Sequence, residues 1–194
     1  GIILLSCWAH ARRKFSDAIK NDRERAESAL EQIQLLYEVE RQIKDQALCF
    51  EEAAKLRVRL AYPIMVRFEK WLVAEHAKVI KGSPIEKAIL YTYNRFNKLS
   101  RYHLDGRYNI DNNGIENAAR PVAVGRKNYL FCQNDDTAES TAIIYSFMGC
   151  CKAAKVNFRT WMIYFLDHVH DYDQDYTRDI AELLPDNLKD AGVL

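Results

Sequence analysis

Apolar residues recur at intervals of three or four along most of the chain, the spacing that places them on one face of an α-helix. The pattern predicts long helices over 8–20, 22–48, 51–81 (with a kink or break at Pro63), 84–104, 137–156 and 158–169. Gly82 is predicted to end one helix. Ser83 is predicted to cap the next helix, and Pro84 to occupy its first position. Seven Gly and four Pro among 194 residues also favour long helices with few breaks. The chain is therefore predicted to be mainly helical.

Two segments depart from the helical spacing and predict short strands. The apolar, partly β-branched run at 1–6 (GIILLS) is predicted to be one buried strand. A helix from about Gly114 to Ala119 meets Pro121, and the alternation that follows in 122–131 predicts another short strand. The fold class expected from the pattern is mainly α with a small β component, that is, α+β.

The overall charge is nearly balanced, and only its distribution is informative. With 28 Lys and Arg against 27 Asp and Glu the formal net charge is +1, which carries no nucleic-acid signal. Locally the charge is +3 over 1–20, +4 over 84–133 and −5 over 171–194. A basic body with an acidic tail is compatible with a polyanionic partner, although proteins without such a partner show it too.

The cysteines and the absence of long apolar runs indicate in which cellular compartment the protein is located. Five cysteines, two of them adjacent, do not suit a disulfide framework and predict a reducing cytoplasm. No apolar run approaches the roughly 18 residues that cross a bilayer, so no membrane association is expected. The chain starts at Gly1 and continues directly into an apolar run, which is what we expect of a fragment.

The first candidate site is the segment CWAHARRKF at 7–15. Cys7 and His10 have the spacing of half a zinc site, but they could equally mark the end of a strand and the start of a helix. The consecutive cations Arg12, Arg13 and Lys14 are candidate phosphate contacts, and an exposed helix face would look the same.

The second candidate is the pair Glu116 and Arg120, four residues apart on one predicted helical face. The pair could be a metal ligand beside a phosphate-binding cation, or a salt bridge within one helix. Asp111 and the two asparagines that follow it are turn and cap residues in the simplest interpretation.

The third candidate is the segment GRKNYLF at 125–131. Arg126 and Lys127 stand beside aromatic residues in a predicted loop-to-strand segment, which would suit contacts to a nucleic-acid backbone. The rim of a hairpin would have the same composition.

The order of these segments along the chain identifies a type of protein more specifically than any single segment does. CWAHARRKF, a long helical stretch, YNRFNKLSRYHLDGRYNIDNNGIENAARPVAVGRKNYLF, TAIIYSFMGCCKAAKV and IAELLPDNLK follow one another along the chain. In this order they resemble the C-terminal half of a bacterial insertion-sequence transposase of the sixty-six family. The resemblance spans essentially the whole chain and is most specific over 93–131.

The resemblance implies a ribonuclease H-like catalytic domain with an Asp-Asp-Glu triad that binds two Mg²⁺ ions for phosphodiester cleavage and strand transfer. Glu116 matches the triad glutamate, as catalytic residue and metal ligand. The two aspartates of the family precede the CWAH segment, so the chain alone is expected to be inactive. Asn117 departs from the many relatives that carry Arg directly after the glutamate.

The resemblance also implies a domain organisation. Residues 1–15 would hold the last sheet strand and the start of the following helix, and 16–106 a large all-helical insertion in the ribonuclease H-like domain. Residues 107–170 would hold the glutamate-bearing and closing helices, and 171–194 an acidic tail with a short helix.

The partners implied are DNA, as transposon ends and target, and further copies of the chain in a homo-oligomer. The predicted DNA contacts are all cationic: Arg12, Arg13, Lys14, Arg120, Arg126 and Lys127. Two other classes stay open: a helical DNA-binding or assembly module that needs no metal, and a helical interaction protein with no role in nucleic-acid binding.

Overall fold

The computed structural model describes residues 3–129, 131–173, 175 and 177–194. The chain folds into two compact units, Gly1–Gly114 (unit 1) and Ile115–Leu194 (unit 2). The helices are α1 (Trp8–Ala18), α2 (Arg23–Asp45), α3 (Phe50–Leu56), α4 (Tyr62–His76), α5 (Pro84–Tyr93), α6 (Phe96–Ser100), α7 (Asn113–Tyr129), α8 (Asp135–Ala154), α9 (Phe158–Asp173) and α10 (Pro185–Asp190). A π-helical segment spans Arg57–Ala61, and 3₁₀ turns span Arg101–Leu104 and Ile180–Leu183.

The predicted strand at 1–6 is not found in the part of it that the structure describes. Residues 3–7 are irregular, and the side chains of Ile3 and Leu4 are exposed rather than buried. Their backbone has no neighbouring strand to pair with; instead the Ser6 N–H donates to the Lys98 carbonyl at 3.2 Å. Gly1 and Ile2 lie outside the described residues.

The second predicted strand, at 122–131, is wrong as well. Helix α7 continues through Pro121 and ends only at Tyr129. A proline inside a helix removes one backbone hydrogen bond, but it does not oblige the chain to leave the helix. Leu130 lies outside the described residues. With no strand in any described segment, the expected α+β class and its ribonuclease H-like sheet are contradicted, and the described chain is helical.

The start of α5 follows the predicted cap chemistry, and α2 begins with a side-chain cap that was not predicted. The Ser83 hydroxyl accepts a hydrogen bond from the Glu86 N–H at 3.2 Å, and Pro84 opens α5. The Asp22 side chain caps α2 by accepting from the Arg25 N–H at 3.2 Å. Pro63 lies in the first turn of α4, directly after the π-helical segment, so the chain stays helical there. The helix predicted over 84–104 is instead divided into α5, α6 and a 3₁₀ turn.

The core of unit 1 is organised around Trp8, which is fully buried at the start of α1. Its indole N–H donates to the Leu99 carbonyl at 2.9 Å. The Phe68 and Phe96 rings lie with centroids 6.1 and 6.2 Å from it. Helix α1 thus packs its Trp8 face inward, against α2 and α5.

Unit 2 has a smaller core, centred on Trp161 of α9. The Trp161 indole N–H donates to the Leu183 carbonyl at 2.8 Å, and the Phe147 ring of α8 lies 4.8 Å away between centroids. Lys189 of α10 donates to the Ala154 carbonyl at 2.6 Å. Among the described residues, α7 buries no side chain and α8 buries only Cys151.

Candidate nucleic-acid interface

The cations of α1 are exposed because the opposite face of the helix is buried. Trp8, Ala11, Phe15 and Ala18 follow one another at three- and four-residue steps and enter the core. The three consecutive cations of residues 12–14 therefore lie on the outer surface, where each is exposed.

These three cations do not share one surface. The Lys14 Nζ lies 5.8 Å from the centroid of the Tyr91 ring, and the Arg95 guanidinium carbon lies 4.2 Å from the same centroid. Arg12 and Arg13 instead line a surface depression of about 430 Å³ between α1 and α2. Lys14 thus belongs to a second surface, on the α5 side of α1.

Among the described residues, Cys7 and His10 do not belong to a group of metal-ligating side chains. The Cys7 Sγ accepts a hydrogen bond from the Asn112 N–H at 3.4 Å, and Cys7 immediately precedes α1. Within the described ranges, no group of three or more His, Cys, Asp or Glu side chains is placed to hold a metal ion. The interpretation of this segment as a helix start with packed Trp8 and Phe15 agrees with their complete burial.

Asp111 is a turn residue with an additional long-range partner that sequence reasoning missed. One carboxylate oxygen accepts from the Asn113 backbone N–H at 3.0 Å, and the other accepts from the Tyr37 hydroxyl at 3.0 Å. Burial of the Tyr37 side chain is the main cause that raises its pKa above the ordinary value, and the nearby Asp111 carboxylate is the second. The spacing of α2 indicated only an apolar role for Tyr37, and nothing local connects it to a residue 74 positions away.

Glu116 and Arg120 both lie on α7, one helical turn apart. Glu116 is in the first turn of the helix, where its carboxylate interacts favourably with the helix dipole, and its side chain is exposed. Arg120 is exposed as well. The helical placement of this pair agrees with the sequence prediction, and the role of Glu116 as a metal ligand stays a prediction.

The described residues do not make up a magnesium site by themselves. The family pattern needs three carboxylates, of which Glu116 would be one. No described group of three or more acidic, His or Cys side chains is placed to complete such a site. Asp111, the acidic residue nearest to Glu116 in sequence, is engaged by Tyr37 and Asn113.

Arg126 and Lys127 lie in the last turn of α7 rather than in a loop or strand. Both are exposed, and cations are favourable at this end of a helix. Arg126 lines an apolar groove of about 730 Å³ between α7 and α8, together with Tyr129 and Tyr145. A Cβ at Gly125 would lie 2.5 Å from the Tyr145 hydroxyl, at the far end of a side chain of α8. The hydrogen bond to Tyr145 raises the pKa of Tyr129.

Over its described residues the protein is helical, and exposed cations lie on unit 1 and on unit 2. A profile of the family described as Transposase IS66 family matches residues 1–140. The chain therefore belongs to the IS66 family of transposases, as the sequence resemblance predicts.

The chain is similar to proteins of Sinorhizobium fredii (strain NBRC 101917 / NGR234). Uncharacterized protein y4hP is 31% identical, over 96% of this chain and 35% of its own length. Uncharacterized protein y4jD is 30% identical, over 96% of this chain and 36% of its own length. The chain thus spans about a third of the length of these curated relatives. No solved structure matches it.

No helix in the described part of the chain is both long and apolar enough to span a bilayer.

Proposed function

We propose that this chain is part of a DNA transposase and that it supplies cationic contacts to transposon-end and target DNA. Membership of the IS66 transposase family carries the proposal. It is supported by the exposure of all the cations concerned, on α1 in unit 1 and on α7 in unit 2: Arg12, Arg13, Lys14, Arg120, Arg126 and Lys127.

We further propose that Glu116 is a Mg²⁺ ligand in the complete transposase. Its exposed place in the first turn of α7 leaves the carboxylate accessible from solvent. The two aspartates that the family pattern places before the CWAH segment are proposed as the other ligands. The 194-residue chain is accordingly proposed to bind DNA without cleaving it.

Equilibrium binding to a short DNA duplex, followed by fluorescence anisotropy at several salt concentrations, tests the DNA-binding proposal. We expect binding at low salt. The slope of the logarithm of the binding constant against the logarithm of the salt concentration should become shallower by about 0.9 for each phosphate contact removed. Arg126→Ala with Lys127→Ala should reduce the slope, and Glu116→Gln should leave affinity nearly unchanged. Absence of duplex binding at low salt would overturn the proposal.

Glu116 is tested separately in a polypeptide of the relatives' full length that contains this chain. We expect Glu116→Gln to abolish Mg²⁺-dependent DNA cleavage there while DNA affinity is retained. A longer protein that binds DNA, and cleaves it equally well with Gln at 116, would refute the metal-ligand role.

A helical DNA-binding or assembly module that needs no metal is the second candidate function. The observation that favours it is the self-contained core of unit 1, which positions the α1 cations using side chains from its own helices. A full-length protein that binds DNA but never cleaves it would support this second candidate.

A further inference from the structure

We propose that the depression between α1 and α2 is a phosphate-binding site in which Arg41 and Gln34 of α2 act together with Arg12 and Arg13 of α1. This proposal rests on the proposed function, because the phosphate in question would belong to a DNA backbone. The depression, here called the arginine notch, has a volume of about 430 Å³ and is also lined by Tyr37 and Asn113.

Helical periodicity brings these side chains to one surface. On α2, Gln34, Tyr37 and Arg41 follow one another at three- and four-residue steps and form a stripe beside the buried positions Ile33 and Leu36. On α1, Arg12 and Arg13 flank the buried Ala11 in the same way. Because the two helices pack together through their buried faces, the two polar stripes border a common depression.

The charge of the notch favours an anion. Its lining, as far as the structure describes it, contains three arginines and no carboxylate. Arg41 has an acidic neighbour on its own helix, Glu38, whose carboxylate lies 3.3 Å from the guanidinium with both side chains largely exposed. An exposed pair of this kind contributes little stability and is readily exchanged for a stronger ligand. Asp111 is not part of the lining, and its carboxylate accepts hydrogen bonds from Tyr37 and Asn113. Among the described residues, neither Arg12 nor Arg13 forms an ion pair.

The geometry around Tyr37 makes one wall of the notch rigid. Its hydroxyl donates to Asp111, which also accepts from the Asn113 backbone N–H and side-chain amide at 3.0 and 2.8 Å. Arg12 lies close enough that its charge offsets part of the increase in the Tyr37 pKa. The Tyr37 and Asn113 side chains at this edge of the notch are therefore held by a common partner, Asp111.

The hydrogen-bond donors that line the arginine notch suit a phosphate group. A guanidinium can donate two parallel hydrogen bonds to phosphate oxygens, and several around one concavity can contact the same group from different sides. The amide of Gln34 adds a neutral donor at the rim. Lys14, on the other side of α1 near Tyr91, does not contribute to this site.

The test compares Arg41→Ala with Arg59→Ala, which removes the same charge from an exposed position of unit 1 outside the notch. Duplex binding is measured by fluorescence anisotropy across a range of salt concentrations, and circular dichroism confirms that both variants stay folded. We expect Arg41→Ala to make the logarithmic salt dependence shallower by about 0.9, the value for one phosphate contact. Arg59→Ala should match the unmodified chain.

If the unmodified chain binds DNA and both variants keep its salt dependence, the notch proposal is overturned while the proposed function stands. If the unmodified chain binds no DNA, the proposed function fails and inorganic phosphate becomes the probe. Phosphate-dependent shifts of the NMR signals of the Nε–H groups of Arg12, Arg13 and Arg41 would then support a site for free phosphate. Unchanged signals would overturn the site altogether.

Discussion

Arg57 is a charged side chain in the interior of unit 1, with only 3% of its surface exposed. Its guanidinium makes two hydrogen bonds to the Glu40 carboxylate, at 2.9 and 2.7 Å. It also donates to the backbone carbonyls of Tyr102 and Asp105 at 3.1 and 2.9 Å. A single side chain therefore connects α2, the π-helical segment and the 3₁₀ turn that follows α6.

Replacing Arg57 by Ala should lower the free energy of unfolding by about 3 kcal/mol, because it leaves the Glu40 carboxylate and two carbonyls without their partner. Urea unfolding followed by circular dichroism measures the loss. Arg59→Ala, two residues along the same segment but exposed, should change the free energy of unfolding by no more than about 0.5 kcal/mol. Equal losses for the two variants would show that the buried pair has no special role.

Residue roles were predictable from the sequence only where the cause is local. The exposure of residues 12–14 follows from the buried spacing of α1, and so it could be predicted. The separation of Lys14 from its two neighbours depends on Tyr91, which is 77 positions away in the chain. Gly106 is likewise constrained by a residue distant in sequence, because the close approach of the Phe50 backbone carbonyl leaves no room there for a Cβ.

At the scale of elements, four charged side chains join the start of α2 to the end of α4. Arg25 contacts the carboxylates of Asp22 and Glu75, each at 2.7 Å, and Lys78 contacts Glu75 at 2.7 Å. The hydrogen bond from Arg25 lowers the pKa of Asp22. Hydrogen bonds from Lys78 and then Arg25 lower the pKa of Glu75.

This network should make the stability of unit 1 sensitive to acid. Both carboxyl groups have folded-state pKa values below the ordinary 3.8 of Asp and 4.5 of Glu, so on acidification the unfolded chain takes up protons first. The stability they contribute is complete above pH 4.5 and is lost as the pH falls through their folded-state values. Melting temperatures measured from neutral pH down to this range should therefore decrease less steeply for Arg25→Met than for the unmodified chain.

Arg23→Met is the matched control for the acid experiment, because the Arg23–Glu27 pair is exposed and lies within one helix. It should retain the acid dependence of the unmodified chain. An identical pH profile for Arg25→Met and the unmodified chain would contradict a role for the network.

Helices were predicted better than the other elements because their signals lie within a few residues. The cap at Ser83 and the opening proline at 84 are complete within one turn, and both are found. The apolar run at 1–6 was ambiguous, because a strand requires a partner that no local pattern can supply. At Pro121 the local rule favoured a break, whereas the chain continues as a helix for eight more residues to Tyr129.

At the scale of the whole molecule, the two units differ in how much apolar surface they bury. Unit 1 has an extensive core, whereas the buried cluster found among the described residues of unit 2 is small and centres on Cys151, Trp161 and Leu188. The outer faces of α7 and α8 leave large apolar side chains exposed, among them Ile115, Val124, Ile143, Ile144 and Met148. An exposed apolar surface on this scale commonly marks a protein–protein contact. It is the physical basis for the homo-oligomer expected of the chain.

We expect the chain to sediment as a dimer or larger species at micromolar concentration, because association would remove the α8 face from water. Ile144→Lys should weaken association at least about tenfold, since it replaces a side chain whose burial is worth roughly 1.5–3 kcal/mol with a charge. Ile80→Lys alters a side chain that is 81% exposed in unit 1 and should leave the sedimentation profile unchanged. A monomeric unmodified chain would mean that the exposed α8 face is not used for self-association, and equal effects of the two variants would place the contact elsewhere.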